Sequence, residues 1–325
     1  MSRPRFSVVV PVYNRPQEVQ ELLESLTRQT RRIFEVIIVE DGSSVRCDSV
    51  IDQYRDRLTI QYLYKSNSGP GPSRNKGFEL ATGDYFVVFD SDCILTETYF
   101  EAVEKGLAEE KLDAWGGPDR AHEKFTLLQR AMGYTMSSVL TTGGIRGAKK
   151  RIGWFQPRSF NMGISRKVYE ATGGFKFDRY AEDIEFSIRI RKAGYRVGRI
   201  YEAFVYHKRR ATLGQFYKQV LNFGRGRALI GNVYPEEVRL AHWFPAFFTL
   251  ATVGMVALLP IHLSLFFLAF GFFLFYFLLL FVHSWITNRN LSVAILSVPS
   301  ALLQFFGYGL GFLRERLQIM LRRST

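Results

Sequence analysis

Two carboxylates, Asp90 and Asp92, stand one residue apart in "FVVFDSDC", where an apolar run stops. Like charges this close repel, and a cation between them relieves the repulsion. A hard divalent ion suits that role, and magnesium commonly links one or two carboxylates to the phosphates of a substrate. A second acidic pair, Glu182–Asp183, lies far downstream in "AEDIEF". Carboxylates at the start of a helix suit its dipole, and a positioned carboxylate can also take the proton of an attacking hydroxyl. An Asp-x-Asp alone is often no more than a solvated turn, so the surrounding elements must decide.

Those elements alternate. "FSVVVPVYN" reads as a buried strand ending in a polar turn, and Val19, Leu22, Leu23 and Leu26 then recur at helical spacing, which predicts an amphipathic helix over 16–29. "FEVIIVEDGSS" and "TIQYLYKS" are further strands, "PSRNKGFELATG" is helical, and "DYFVVFDSDC" is a fourth strand. Strands alternating with helices predict a parallel, doubly wound sheet, and such sheets bind ligands beyond the carboxyl ends of their strands. Asn14, Asp41 and Asp92 all fall at such ends, so three strand tips can line one cleft. Beyond residue 100 the pattern is less regular. A charged helix ends over Lys105–Leu112, "AWGGPD" is a strand with a glycine turn, and "TTGGIRGAKKRIGW" is a basic, glycine-rich loop. A helix starts near Glu182 and is stopped by Gly194.

The 325 residues carry a formal net charge of +13 and only two cysteines, Cys47 and Cys93. That excludes a disulfide framework and a zinc cluster and makes a reducing cytosol the simplest home for the N-terminal part. "MSRPRFSVVVPVYN" lacks the charged leader and apolar core of a signal peptide. Three apolar segments follow, about Trp243–Leu259, Ile261–Trp285 and Leu291–Leu313. Each approaches the ~20 residues that span hydrocarbon, and "LSLFFLAFGFFLFYFLLLF" has no polar face at all. Basic residues crowd just before and just after this region, which points to an anionic membrane surface rather than nucleic acid.

With these motifs in place, "VVVPVYNR", "VEDGSS", "NSGPGPSRNKG", "FDSDC", "GGF" and "AEDIEFSIRIRKAG" stand in the order found in family 2 inverting glycosyltransferases, and residues 6–210 resemble that family. The resemblance implies a GT-A fold, a Rossmann-like α/β nucleotide-sugar-binding domain, here followed by an α-helical transmembrane region. It also implies a nucleotide-sugar donor and Mg2+ or Mn2+. Carried over by position, Pro11, Tyr13 and Asn14 belong to the donor-binding set, with Tyr13 stacking on the base and Asp41 hydrogen-bonding it. Arg74 would sit near the nucleotide or diphosphate. Asp92 would bind the metal, Asp90 would support the metal or the ribose, and His207 would contact diphosphate or metal. Glu182 would line the substrate site and Asp183 would be the general base. Glu40 departs mildly from the family, which often has a second aspartate there. A processive Gln-x-x-Arg-Trp motif is missing: Gln219, Arg225 and Arg227 lack the spacing and the tryptophan.

These readings divide the chain into a catalytic domain over 1–210 (nucleotide-sugar half 1–100, acceptor half 101–210), a juxtamembrane amphipathic segment over 211–240, membrane helices over 241–313 and a basic tail over 314–325. The function expected is transfer of one sugar to a lipid-linked or membrane-proximal acceptor. A polyprenyl-phosphate glycosyltransferase is the alternative within the class, and a non-catalytic membrane scaffold the alternative outside it. Arg225 and Arg227 suit either an anionic lipid acceptor or lipid headgroups. Three full spans would put the arginine-rich tail outside, against the positive-inside rule. A cytosolic tail is therefore expected, with one segment lying in the interface or re-entering. The candidates are the first segment, the shortest and holding Pro245, and the third, which with "SVPS" at its middle and "GYGLG" near its end could break and turn back.

Overall fold

The computed structural model describes residues 4–120, 125–143, 154–207 and 210–324. The elements in chain order are β1 (Phe6–Val12), α1 (Pro16–Thr27), β2 (Phe34–Asp41), α2 (Asp48–Asp52), β3 (Ile60–Lys65), α3 (Pro70–Leu80), β4 (Tyr85–Phe89), β5 (Cys93–Leu95), α4 (Tyr99–Glu110), β6 (Ala114–Gly116) and β7 (Asp119–Arg120). Then come α5 (Leu127–Ser137), α6 (Val139–Thr142), β8 (Asn161–Ser165), α7 (Arg166–Thr172), α8 (Glu182–Lys192), β9 (Val197–Arg199) and β10 (Val205–His207). The chain continues with α9 (Leu213–Val233), α10 (Leu240–Leu258), α11 (Leu263–Asn288) and α12 (Leu291–Ser324).

Two compact units share these elements. The first comprises Met1–Glu123 and Phe155–Lys208. Its main sheet runs β3-β2-β1-β4-β8-β6-β9. The pairs β1–β2, β2–β3 and β1–β4 are parallel, as the alternation requires, while β8 is antiparallel to both neighbours. The strands read as unbroken apolar runs because both faces are covered. Val8, Val10 and Val12 pack with Leu22, Leu23 and Phe100 on one face, whereas Val9, Ile37 and Val88 pack with Phe78 and Phe186 on the other. A small second sheet runs β5-β10-β7. Its antiparallel register sets His207 opposite Cys93.

The second unit comprises Lys124–Trp154 and Arg209–Thr325. The boundary therefore differs from the division expected at residue 210, because α5 and α6 group with the C-terminal helices. The reason is an apolar face on α5. Tyr134 packs among Phe277, Leu280, Ala301 and Phe305, and Met132 packs against Phe216 and Val220. The Tyr134 hydroxyl also lies 2.7 Å from Nδ1 of His283. Most of the basic loop expected after α6, residues 144–153, lies outside the described residues.

Helices α10, α11 and α12 correspond to the three apolar segments, and all three are long and apolar enough to cross a membrane. The break expected at "SVPS" does not occur. Helix α12 runs unbroken through Pro299 and onward into the tail. A proline inside a helix costs a hydrogen bond, but Val293, Ala294, Ser297 and Ala301 around it are fully buried, and this packing holds the axis. Helix α9 lies directly against α12. A Cβ on Gly224 would come within 2.1 Å of the Tyr308 carbonyl, and one on Gly311 within 2.1 Å of the Leu221 carbonyl, so glycine is required at both for the backbones to touch. Arg225 pairs with the buried Glu315 at 2.9 Å.

Candidate active site

The strand tips of the sheet unit gather most of the residues singled out by sequence. After β1, Tyr13 is exposed, with 53% of its surface free for a flat ligand. Asn14 takes a left-handed conformation, φ 53°. Its N–H donates to Ser43 Oγ at 2.8 Å, and its carboxamide oxygen accepts from the N–H groups of Ser44 and Val45 at 2.8 and 3.0 Å. Asn14 thus laces the loop after β1 to the loop after β2. Pro11, half-buried, pairs with Val39 within the parallel ladder.

Asp41, at the end of β2, spends both oxygens on the glycine-rich loop. Oδ1 accepts from Ser68 N–H at 2.9 Å and from Lys65, and Oδ2 accepts from Gly69 N–H at 2.8 Å. Burial pushes this carboxyl up, but the Lys65 and backbone hydrogen bonds outweigh it and hold it below its ordinary value. Gly69 must be glycine: its φ is +105°, and a Cβ there would meet the Asp178 carbonyl at 2.7 Å. Glu40 turns inward, accepting from Cys47 N–H at 3.1 Å and from the Tyr62 hydroxyl.

Asp90 and Asp92 part company. Arg74 is 2% exposed and forms a strut, with one terminal nitrogen 2.8 Å from Asp90 and the other 2.8 Å from Glu182. It joins two acidic motifs through Asp90 and Glu182, which are 92 residues apart in sequence. Asp92 instead pairs with Arg15 and lies 3.0 Å from Nε2 of His207. Burial would raise the Asp92 carboxyl, but His207 and Arg15 together hold it well below the carboxylate range. Burial would lower His207, and Asp92 more than reverses that. Phe160 stacks on the His207 ring, with centroids 5.0 Å apart.

Asp183 opens α8. Its Oδ1 accepts from Ile184 N–H at 2.8 Å, and its Oδ2 accepts from Ser159 N–H at 3.3 Å and lies 3.0 Å from Arg158 Nε. Ala181, just before, holds φ +57°, a conformation in which a non-glycine residue carries strain. Burial pushes Glu182 up to about 7, with the Asp183 charge adding to it and Arg74 opposing.

Ligand-bearing atoms of Asp92, Cys93 and His207 all lie within 4.8 Å of one another. The carboxylate oxygen suits Mg2+ or Mn2+, and the imidazole nitrogen, a transition-metal ligand, favours Mn2+ of the two. The Cys93 thiol does not: it donates to the Phe160 carbonyl at 3.4 Å, and burial with the Asp90 and Asp92 charges keeps its proton on. Asp90, expected to share the metal, is outside this group and tied to Arg74. Arg15, Arg158 and Cys93 were not singled out by sequence. Only the position of Arg15, directly after Tyr13–Asn14 in "VYNRP", offered a signal.

The sheet unit is a mixed α/β, Rossmann-like domain with an Asp-x-Asp at one strand tip and a helix-opening acid joined to it by a buried arginine. The family model described as "Glycosyl transferase family 2" matches residues 7–173, more than half of the chain, and the chain belongs to that family. The probable glycosyltransferase YdaM of Bacillus subtilis is 24% identical over 320 residues, covering 93% of this chain and 72% of YdaM. The uncharacterized glycosyltransferase YibD of Escherichia coli is 32% identical over 34% of this chain and 33% of its own length. An uncharacterized glycosyltransferase of Rickettsia bellii is 35% identical over 32% of this chain, a stretch that is 15% of that relative. The mannosyltransferase PcManGT of Pyrobaculum calidifontis, solved with GDP-Man and Mn2+, shares the fold at TM-score 0.63 and 17% identity, over 94% of this chain and 88% of PcManGT.

Proposed function

We propose that the protein is a metal-dependent, inverting, non-processive glycosyltransferase. It takes a sugar from a nucleotide-sugar on the cytosolic side and transfers it to a lipid-linked or membrane-proximal acceptor, in glycan, polysaccharide or glycolipid biosynthesis. The observation that carries the reading is the Arg74 strut, which sets the Asp90–Asp92 strand tip and the Glu182–Asp183 helix start around one guanidinium. PcManGT, solved with GDP-Man, supports a nucleotide-sugar donor. The three apolar helices support a membrane-bound acceptor.

Asp92 and His207 would hold Mg2+ or Mn2+, which when bound offsets charge growing on the departing diphosphate. Arg15, already on Asp92, adds a further cation at that point. Tyr13 offers its exposed ring to the base. In one in-line displacement the acceptor oxygen bonds to the anomeric carbon while the bond to the diphosphate oxygen breaks, its electron pair leaving with the diphosphate. The acceptor proton passes to the Asp183 carboxylate, which Arg158 and the Ile184 N–H keep in orientation.

Arg158 beside Asp183 favours one second reading, an acceptor with a phosphate, as in a polyprenyl-phosphate glycosyltransferase. A phosphate oxygen is already ionised near neutral pH and needs no base. Purified protein with Mn2+, a panel of nucleotide-sugars, and either a polyprenyl phosphate or a lipid-linked sugar as acceptor tests both. Hydrolysis-free transfer to the lipid-linked sugar supports the first reading, transfer to polyprenyl phosphate alone supports the second, and no transfer from any donor overturns both.

A further inference from the structure

We propose that α12 does not cross the bilayer but lies in the plane of its headgroup boundary, while α10 and α11 enter as a hairpin and return. The sheet unit and the arginines of α12 are then on one side of the membrane. That this side is the cytosol rests on the donor reading above; that they share a side does not.

The first observation is a continuous protein-facing stripe on α12. Ala294, Ser297, Ala301, Gln304, Phe312 and Glu315 are buried at helical spacing. Near the start of the stripe, Ser297 Oγ lies 2.8 Å from Ser284 Oγ of α11. At its middle, Ala301 and Phe305 pack with Tyr134 of α5. Toward its end α9 takes over, from Val220 against Gly307, through Arg225 with Glu315, to Asn232 with Arg323.

Two of the helices that cover this stripe, α9 and α5, cannot sit in hydrocarbon. Helix α9 carries Lys218, Asn222, Arg225 and Arg227 along its length. Helix α5 belongs to a segment, 124–154, that leaves the sheet unit and returns to it, and that holds Arg130, Arg146, Lys149, Lys150 and Arg151. Both must stay on the sheet unit's side, because charged side chains at bilayer depth are costly. Yet their contacts with α12 run from Ala301 to Arg323. At 1.5 Å per residue that is about 33 Å, more than the ~30 Å of a hydrocarbon core. A spanning α12 would carry one end of this stretch to the far side. The part of α12 ahead of Gly307 is 16 residues, about 24 Å, too short to span alone.

The second observation is the opposite face. Leu291, Ile295, Leu310, Leu317 and Leu321 are exposed, with the exposed Arg314 among them and Arg322 and Arg323 flanking this face at the end. The exposed apolar residues extend over about 45 Å of helix. Exposed leucines flanked by arginines fit acyl chains below and anionic headgroups around them. By contrast, α11 is apolar over most of its length, and exposed Phe267, Phe272, Phe275 and Leu278 show that protein leaves much of it uncovered. Between α10 and α11, Leu259-Pro260-Ile261-His262 holds no Lys, Arg, Asp or Glu, so the hairpin tip carries no lysine or arginine away from the sheet unit's side.

Single cysteines test this in the full chain, with the unsubstituted protein, whose Cys47 and Cys93 are buried, as the unlabelled control. Asp56→Cys reports the sheet unit and Arg322→Cys the end of α12, both probed with an impermeant thiol reagent in intact and in permeabilised cells. Equal protection of both in intact cells supports the proposal. Labelling of both from outside also supports it and sinks only the cytosolic donor reading. Labelling of one alone in intact cells overturns it. Spin labels at Ile295→Cys, Leu310→Cys and Leu321→Cys, in vesicles containing anionic lipid, then read depth. In-plane α12 places all three within a few Å of one depth, and a graded series across the bilayer overturns the proposal even if the termini share a side.

Discussion

Nε2 of His207 lies 3.0 Å from Oδ1 of Asp92, across 115 residues of chain. The contact is made by the β5–β10 pairing, which sets His207 opposite Cys93 and so beside the preceding aspartate. Asp92 is thereby offered an imidazole and the Arg15 guanidinium at once, and it stays ionised in a buried setting. This is how the two close carboxylates of "DSD" are tolerated: each has cations of its own.

Turnover is expected to need a divalent ion. In excess chelator, sugar transfer should fall at least about a hundred-fold and return on adding Mn2+ or Mg2+, on the scale of losing a charge-stabilising group. Asp92→Ala should abolish that metal response, read as the loss of metal-dependent nucleoside diphosphate binding by calorimetry. Full activity in chelator would defeat the assignment.

Asp183→Asn should keep donor affinity within a few-fold, since the amide preserves size and still accepts from Ile184 N–H. Turnover with a hydroxyl acceptor should drop by about a hundred-fold or more, the scale of a general base. A near wild-type rate would reassign Asp183 to the start of the helix and to Arg158.

At pH 8, where Glu182 is ionised, Arg74→Met should destabilise the sheet unit by about 3 kcal/mol or more, because it leaves the Glu182 charge buried without its cation. Denaturant unfolding of the purified chain, followed by tryptophan fluorescence, checks this. Adding Glu182→Gln to Arg74→Met should recover part of the loss, since the second change removes the unpaired charge. A simple sum of the two single effects would argue against the strut.

Glu182 sets a pH dependence. Its folded-state value is raised, from about 4.5 to about 7, so the folded chain holds this proton where the unfolded chain has released it. Its contribution to stability is therefore full below about 4.5 and is lost as pH rises through about 7. Glu182→Gln should remove that decline. The unfolding temperatures of variant and wild type, compared from pH 5 to pH 8, should diverge in the variant's favour as pH rises. Parallel curves would show that Glu182 is ionised throughout.

Much was legible from local chemistry alone. Runs such as "FSVVVPV" and "FVVF" declare strands covered on both faces, and "GPGPSRNKG" declares a glycine-rich turn into a helix, because backbone sterics and hydrophobic period act over a few residues. The same locality placed Asp90, Asp92, Glu182 and Asp183 at element ends, and it made "LSLFFLAFGFFLFYFLLLF" a membrane candidate by composition. What pairs with what was decided elsewhere. That Arg74 would turn to Asp90 and Glu182, that Asn14 and Asp41 would hold loops, and that Arg15 and Arg158 would take Asp92 and Asp183 depends on strand order and register. Those bring together residues far apart in the chain. The unbroken α12 has the same origin. Pro299 read locally is a break, but burial of Ser297, Ser300 and Ala301 against neighbouring helices outweighs one missing backbone hydrogen bond. Spacing along the chain sets which side chains can share a face, and only the packed fold sets which faces meet.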